Sequence, residues 1–142
     1  MSNKYPELFG DLIYSYTRAD ALRDGVLVEL PYAVAMGFRV PVAITSAAYA
    51  DCIAWPDPDP KLPDILRLRE EVVLLSALAA AKALRRRQQL GSEERADRIN
   101  FVVDAVKLEE RRAEVVKVPV YMVIGPGDNG EPVGTIMLIG ED

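Results

Sequence analysis

The stretch PDILRLREEVVLLSALAAAKALRRRQQL, residues 63–90, decides the fold, because no other segment carries so long and so regular a helical pattern. Most of its residues are Ala, Leu, Glu, Arg, Lys or Gln, which lose little side-chain freedom in a helix. Pro63 suits the first helical turn, and Gly91 suits the left-handed position that closes the last one. With a rise of 1.5 Å per residue, the stretch predicts a single helix roughly 40 Å long.

The helix has one face with the three- and four-residue spacing of buried positions. The residues that this spacing predicts to be buried are Ile65, Leu68, Val72, Leu75, Ala79 and Lys82. Val73, Leu74 and the alanines at 79–81 make the middle of the helix apolar on its other sides as well. Such a helix needs cover on two sides. We expect a sheet on one side and the N-terminal region on the other; the alternative cover is a second copy of the chain, in a homodimer formed through residues 63–90.

Short strands and short helices, bounded by Gly and Pro, are predicted for the N-terminal part. Thr17 is a good N-cap for a helix over residues 18–24, and Thr45 or Ser46 for a helix that runs to Trp55. The other predicted elements are strands over 12–16, 26–30 and 40–44, a helical turn from Pro31 to Gly37, and a stiff connector over 55–61.

The C-terminal third predicts β structure. A strand over 99–106 is followed by a charged turn over 108–114 and by the clearest strand, over 115–124. The loop 125–132 is rich in turn residues and joins that strand to another over 134–139, which predicts an antiparallel hairpin. The whole chain, residues 1–142, is therefore predicted to be one α+β domain in which the long helix packs on an antiparallel sheet that includes this hairpin.

Composition and charge bound the class of protein. Half of the residues are hydrophobic, which argues against a disordered chain, yet no apolar run approaches the ~20 residues of a membrane span. The first residues lack the apolar region of a signal peptide, and the single cysteine, Cys52, forms no disulfide within the chain; we expect a cytoplasmic protein without membrane contact. The net charge of −5, acidic at both ends of the chain, argues against direct nucleic-acid binding.

Catalytic and metal-binding signatures are missing from the sequence. Histidine is absent, which removes Ser-His and Cys-His pairs and the commonest zinc ligand. The loop GPGDNGEP, residues 125–132, matches neither a phosphate-binding loop nor a calcium-binding loop. Cys52 lies in an Ala-rich helical pattern and is predicted to be a buried structural thiol. We therefore expect no cofactor, no metal site and no catalytic residues.

Two charged sets are candidates for contact with a partner. An acidic set could imitate a phosphate backbone, and a run of three arginines could bind an acidic partner surface. The candidate partner-binding residues are Asp11, Asp20, Asp24, Asp57, Asp59, Arg85, Arg86 and Arg87. Ordinary solvated surface charge and complementation of the helix dipole are the competing explanations.

Two stretches, DLIYSYTRADALRDGVLVEL (11–30) and GPGDNGEPVGTIMLIGED (125–142), with FRVPVAITSAAYADCIAWP (38–56) between them, resemble a known family. It is a family of short uncharacterised proteins encoded on bacterial phages, plasmids and integrated mobile elements, classified as a domain of unknown function. The resemblance implies no activity. It implies an accessory protein of a mobile element, and hence a role in the contest with host defence.

Three functional hypotheses follow. The first is a non-catalytic protein-binding protein that inhibits a protein or nucleoprotein complex of host defence, of the anti-CRISPR or anti-restriction type. The second is a small enzyme based on carboxylates, for example of the ADP-ribosyl-transfer type, with Tyr14, Tyr16 and Arg18 beside a distant Glu131. The third is a structural protein that self-associates through the long helix. We favour the first hypothesis, because no histidine is present and the charge is split between the two ends and the middle of the chain.

Overall fold

The computed structural model describes residues 16–94 and 97–141 of the chain. The helices described are α1 (Arg18–Asp24), α2 (Ser46–Cys52) and α3 (Leu62–Gln89). The strands are β1 (Leu27–Glu29), β2 (Val42–Thr45), β3 (Arg98–Glu109), β4 (Arg112–Pro126) and β5 (Pro132–Leu138). The α+β fold class and the long helix are confirmed. The strand expected over 12–16 lies outside the described residues, apart from Tyr16.

The five strands form one mixed sheet in the order β1-β2-β5-β4-β3. The expected C-terminal hairpin is confirmed, since β4 and β5 are antiparallel with Val120 opposite Leu138 and Pro126 opposite Pro132. β2, however, runs parallel to β5, with Ile44 opposite Ile136. The sheet, expected to be antiparallel, is therefore mixed, with a parallel pairing of β2 and β5. The chain leaves β2 and returns to β5 only after α2, α3 and two strands, and so long a crossover allows a parallel pairing.

The face of α3 that packs on the sheet differs from the predicted one. Val73, Leu74, Ala77 and Leu84 are buried, and they join a core made with β2, β3, β4 and β5. The residues that we predicted to be buried do not belong to this core. Ile65 is half-buried, and the exposed ones are Leu68, Val72, Leu75, Ala79 and Lys82. The middle of the helix is apolar nearly all round, so its spacing does not select one face. Packing against the sheet makes that selection.

α2 ends three residues earlier than expected, at Cys52. Pro56 explains the early end, because a proline disfavours helical backbone at the residue before it, which here is Trp55. Arg69 of α3 then holds the chain beyond α2. Its Nε donates a hydrogen bond of 2.6 Å to the Ile53 carbonyl, and its guanidinium lies 5.0 Å from the centre of the Trp55 ring.

The segment 31–37 forms consecutive hydrogen-bonded turns that end at Gly37, in keeping with the single helical turn expected there. The Met36 N–H donates to the carbonyls of both Tyr32 and Ala33, at 3.1 Å each. Gly37 follows with a φ of 112°, a conformation that residues with a Cβ rarely adopt. This path brings Ala33 and Phe38 into the core.

The β3–β4 hairpin is longer than its sequence suggests. Both strands continue through most of the segment 108–114 that we expected to be a charged turn, and Glu109 pairs with Arg112. Only Glu110 and Arg111 form the turn, with φ values of 48° and 68°. Pro119 lies on β4 next to Val120, the residue at which the pairing with β5 ends. Pro119 has no backbone N–H to donate. The loss is tolerated because the pairing with β5 has already ended at this position.

Candidate protein-binding groove

A groove of about 470 Å³ lies between the C-terminal half of α3, the ends of β3 and β4, and the turn around Gly37. We call it the basic groove. Its lining residues are Gly37, Phe38, Arg39, Leu78, Ala81, Lys82, Arg85, Ile99, Met122 and Ile124. This lining combines an apolar floor with three cationic side chains and contains no carboxylate.

The apolar floor follows from two different periodicities. Leu78, Ala81 and Arg85 recur every three to four residues, so they lie on one side of α3. Met122 and Ile124 alternate on β4 and therefore point to the same face of the sheet, and Ile99 of β3 is the register partner of Met122. The turn at Gly37 closes the groove at one end. A Cβ at Gly37 would lie 3.8 Å from Cδ2 of Leu78, which is an ordinary van der Waals distance.

The three cations of the basic groove, Arg39, Lys82 and Arg85, are exposed and form no ion pair or side-chain hydrogen bond with any described residue. Two other arginines of α3, Arg67 and Arg87, are paired. Arg67 lies 3.0 Å from the Glu71 carboxylate, and Arg87 lies 2.6 Å from that of Glu94. The positive charge of the groove is thus available to an incoming anionic group, in the part of the chain that the structure describes.

This lining suits the binding of an anionic group that carries apolar surface. Apolar side chains favour burial of an apolar group, and guanidinium and ammonium groups donate hydrogen bonds to carboxylates or phosphates. The ionisable side chains that line the groove are two arginines and a lysine.

The predicted arginine run meets three different environments. Arg85 lines the basic groove. Arg86 is exposed, and Arg87 donates two hydrogen bonds to Glu94, from Nε at 2.6 Å and from Nη2 at 3.2 Å. These bonds lower the pKa of the Glu94 carboxyl. Arg87 therefore closes the C-terminal end of α3, while Arg85 is the member of the run that contributes to the groove.

The acidic residues of α1 have local structural roles. Asp20 completes a capping box, in which its carboxylate accepts from the Thr17 N–H and the Thr17 hydroxyl accepts from the Asp20 N–H. The bond from the Thr17 backbone lowers the pKa of Asp20. Asp24 accepts a hydrogen bond of 2.9 Å from the hydroxyl of Tyr16. These contacts within the chain explain the positions of both carboxylates, and no partner protein is needed to explain them.

The other predicted acidic residues belong to different parts of the chain. Asp57 and Asp59 lie on the exposed connector before α3, where Asp59 accepts a hydrogen bond of 2.7 Å from the Lys61 N–H. Asp11 lies outside the described residues. The acidic candidates that the structure describes thus do not lie in the groove with Arg85.

Arg18 and Glu131, named for the enzymatic alternative, line a smaller cavity of about 190 Å³. Small-molecule sites usually enclose roughly 300–1,000 Å³. The Arg18 guanidinium is already engaged, since Nη1 donates to Oγ1 of Thr135 at 2.7 Å and Nη2 donates to the Gly134 carbonyl at 2.8 Å. Burial lowers the pKa of Arg18, and Asp128 opposes that change. These contacts assign Arg18 to the attachment of α1 to the sheet.

Asp128 strengthens the same attachment. Its two carboxylate oxygens accept hydrogen bonds from the backbone N–H groups of Arg18 and Ala19, at 2.8 and 3.0 Å. Because side chains alternate along a strand, Thr135 points away from the face on which Ile136 is buried with α3. α1 therefore lies on the face of the sheet opposite to α3 and to the basic groove.

Sequence reasoning did not identify Arg39 as part of a site. It lies in a loop far along the chain from Lys82 and Arg85, and no local pattern connects a loop arginine to one face of a distant helix. Lys82 was predicted to lie on the buried face of the helix, so it was not considered as a binding residue. The prediction for Cys52 is confirmed, since this thiol is buried and its burial raises the pKa to about 11.

The chain matches the model of one protein family, described as "Family of unknown function (DUF6573)", over residues 3–142. No curated protein and no solved structure matches it. Among the helices that the structure describes, none has both the length and the apolar character required to cross a bilayer.

Proposed function

We propose that this chain, which belongs to the family of unknown function (DUF6573), is a non-catalytic protein-binding domain. Its basic groove binds a segment of a partner protein that carries acidic residues beside an apolar one. The observation that carries the proposal is the set of three unpaired cations, Arg39, Lys82 and Arg85, around an apolar floor.

Each half of the groove favours one feature of the partner. Leu78 and Ile124, both half-buried, offer apolar surface to a leucine or phenylalanine side chain. The cations at its rim would pair with carboxylates that flank that side chain, and such charge complementarity increases both specificity and the rate of association. A nucleic acid fits this lining less well, because a phosphate backbone makes little use of an apolar floor and the chain as a whole has a net charge of −5.

Synthetic peptides test this proposal directly. Fluorescent peptides with a central leucine or phenylalanine between aspartate and glutamate residues would be titrated with the protein, beside matched peptides that carry asparagine and glutamine instead. We expect the acidic peptides to bind more tightly and to lose affinity as salt rises, because ion pairs at a surface are screened. Equal affinity for the acidic and the amide peptides would contradict the proposal.

Charge reversal within the protein supplies the matched control. The variant with Arg39→Glu and Arg85→Glu is expected to bind the acidic peptides about tenfold more weakly or worse, a difference of about 1.4 kcal/mol or more. A control variant with Arg111→Glu and Arg112→Glu makes the same change of charge at the exposed tip of the β3–β4 hairpin. It is expected to retain the affinity of the wild type. An equal loss in both variants would point to net charge and not to the groove.

The identity of the partner is a finer part of the proposal. We propose that it is a protein or nucleoprotein complex of a bacterial host, and that binding inhibits host defence in favour of a mobile element. The support is the resemblance of residues 11–30 and 125–142 to short proteins of phages and plasmids. Expression of the chain in cells that carry a restriction or CRISPR system should raise the transformation efficiency of a targeted plasmid. The Arg39→Glu, Arg85→Glu variant should not raise the transformation efficiency. If the wild-type chain does not raise it either, this part of the proposal is contradicted.

A further inference from the structure

The outward face of α3 carries an apolar stripe that stays exposed. Leu68, Val72 and Leu75 are 55%, 43% and 55% exposed, and Ala79 continues the line with exposed surface. We call these four residues the outer stripe. Their spacing of four, three and four residues is that of the seam between two paired helices. Isolated exposed apolar residues are ordinary on protein surfaces, whereas a contiguous line of them marks an interaction site.

The ends of this face carry opposite charges. At the N-terminal end, Asp64 lies one turn before Leu68 and close to the helical angle of the outer stripe. At the C-terminal end, Lys82 and Arg86 follow Ala79 at intervals of three and four residues on the same face. The connector adds the exposed carboxylates of Asp57 and Asp59 to the acidic end, beside one cation, Lys61.

This pattern complements itself when one copy is turned end to end. In an antiparallel pair of α3 helices, a two-fold axis near residues 73–74 places Val72 opposite Leu75 of the second copy and Leu68 opposite Ala79 of the second copy. The small alanine leaves room for the larger leucine. The same axis places Asp64 beside Lys82 of the second copy, twice by symmetry. A parallel pair would instead place like charges together.

We infer that the outer stripe is the interface of an antiparallel homodimer, with the acidic start of α3 against the basic end of α3 in the other copy. This inference does not require the proposed partner, although Lys82 belongs both to this interface and to the rim of the basic groove. The interface buries a single helix face from each copy, so the dimer forms reversibly and depends on protein concentration.

Sedimentation equilibrium of the purified chain, without any ligand, tests the interface. We expect the weight-average mass to rise towards twice the monomer mass as concentration increases from about 1 to 300 µM. The Val72→Glu, Leu75→Glu variant should remain monomeric over that range, because the two-fold axis would place the new carboxylates of one copy opposite those of the other and would bury like charges together. Both positions are exposed in the monomer, so circular dichroism should show an unchanged fold. A matched control, Val115→Glu, alters an exposed valine of the β3–β4 hairpin and should dimerise like the wild type.

A charge exchange tests the antiparallel orientation. Asp64→Lys alone and Lys82→Asp alone should each weaken the dimer several-fold, because each places like charges together at both ends of the interface. The double variant should restore the affinity of the wild type. A wild-type chain that stays monomeric throughout, a dimer that survives Val72→Glu, Leu75→Glu, or a double variant that is no tighter than the single ones would each overturn the inference.

Discussion

The hydroxyl of Thr45 donates a hydrogen bond of 2.8 Å to the carboxylate of Glu141, close to the end of the chain. The same oxygen accepts a hydrogen bond of 3.2 Å from the Ala48 N–H and so caps α2. Glu141 in turn accepts a bond of 3.0 Å from the Leu138 N–H at the end of β5. One buried hydroxyl thus joins the start of α2, the end of β2 and the C-terminal turn.

Replacement of Thr45 by Val should therefore destabilise the fold by more than a lost cap alone. Loss of a threonine cap costs about 0.5–2 kcal/mol, and the Glu141 carboxylate also loses a donor in a half-buried position. We expect the free energy of unfolding, measured in urea, to fall by about 2–3 kcal/mol. Ser46→Ala, at the next and exposed position, is the control and should cost less than about 0.5 kcal/mol. Equal losses would show that the hydroxyl has no special role.

The orientation of α3 can be tested with two neighbouring leucines. Leu74 is fully buried and Leu75 is 55% exposed. Leu74→Ala removes core packing and leaves a cavity, so the free energy of unfolding should fall by about 2–5 kcal/mol. Leu75→Ala should change it by less than about 0.5 kcal/mol. Urea denaturation at low protein concentration, where the proposed dimer is dissociated, gives both values. Similar losses in the two variants would contradict the observed face.

The turn of the β3–β4 hairpin carries removable strain. Glu110 and Arg111 both have positive φ values, as a two-residue turn of this type requires, but the residues that favour this conformation are Asn and Gly. The variant with Glu110→Asn and Arg111→Gly should raise the free energy of unfolding by about 1 kcal/mol. The control variant with Glu110→Gln and Arg111→Lys keeps the strain and should show no gain. Thermal or urea unfolding measures both, and equal stabilities would argue against strain at the turn.

The Cys52 thiol predicts a specific dependence of stability on pH. Burial raises its pKa from the ordinary value of 9.0 to about 11, with a smaller contribution from Asp51. Between these values the unfolded chain has lost this proton and the folded chain still holds it, so stability falls as pH rises. The contribution is complete below pH 9.0 and is lost by about pH 11, and it amounts to at most about 2–3 kcal/mol.

A comparison with Cys52→Ala isolates the contribution of the thiol from those of all other groups. The stability of this variant, measured in urea at several pH values, should decline less steeply between pH 9 and 11 than that of the wild type. Parallel curves would show that the thiol does not contribute. As an independent check, a thiol reagent should modify Cys52 only when the chain unfolds, because reaction needs an accessible thiolate.

The helical caps and the C-terminal hairpin could be predicted because their signals are local. Thr17 caps α1 through Asp20, which lies three residues away, and Gly91 has the left-handed backbone expected after α3. The hairpin of β4 and β5 surrounds a loop dense in Gly and Pro. For the candidate site, the arginine run drew attention to Arg85, which lines the basic groove. Its partner Arg39 could not be found in this way, because loop position carries no information about distant neighbours.

The amino-acid sequence by itself determined that one long helix covers approximately residues 63–90 and that the chain is α+β. These features depend on residues within a few positions of one another. Only the tertiary structure decided that Val73 and Leu74 face the sheet while Val72 and Leu75 face outward. It also decided that β2 lies parallel to β5, and that Arg39 lines the same groove as Lys82 and Arg85. The physical reason is that α3 is apolar nearly all round. The choice of its buried face therefore came from the shape of the sheet against which it packs.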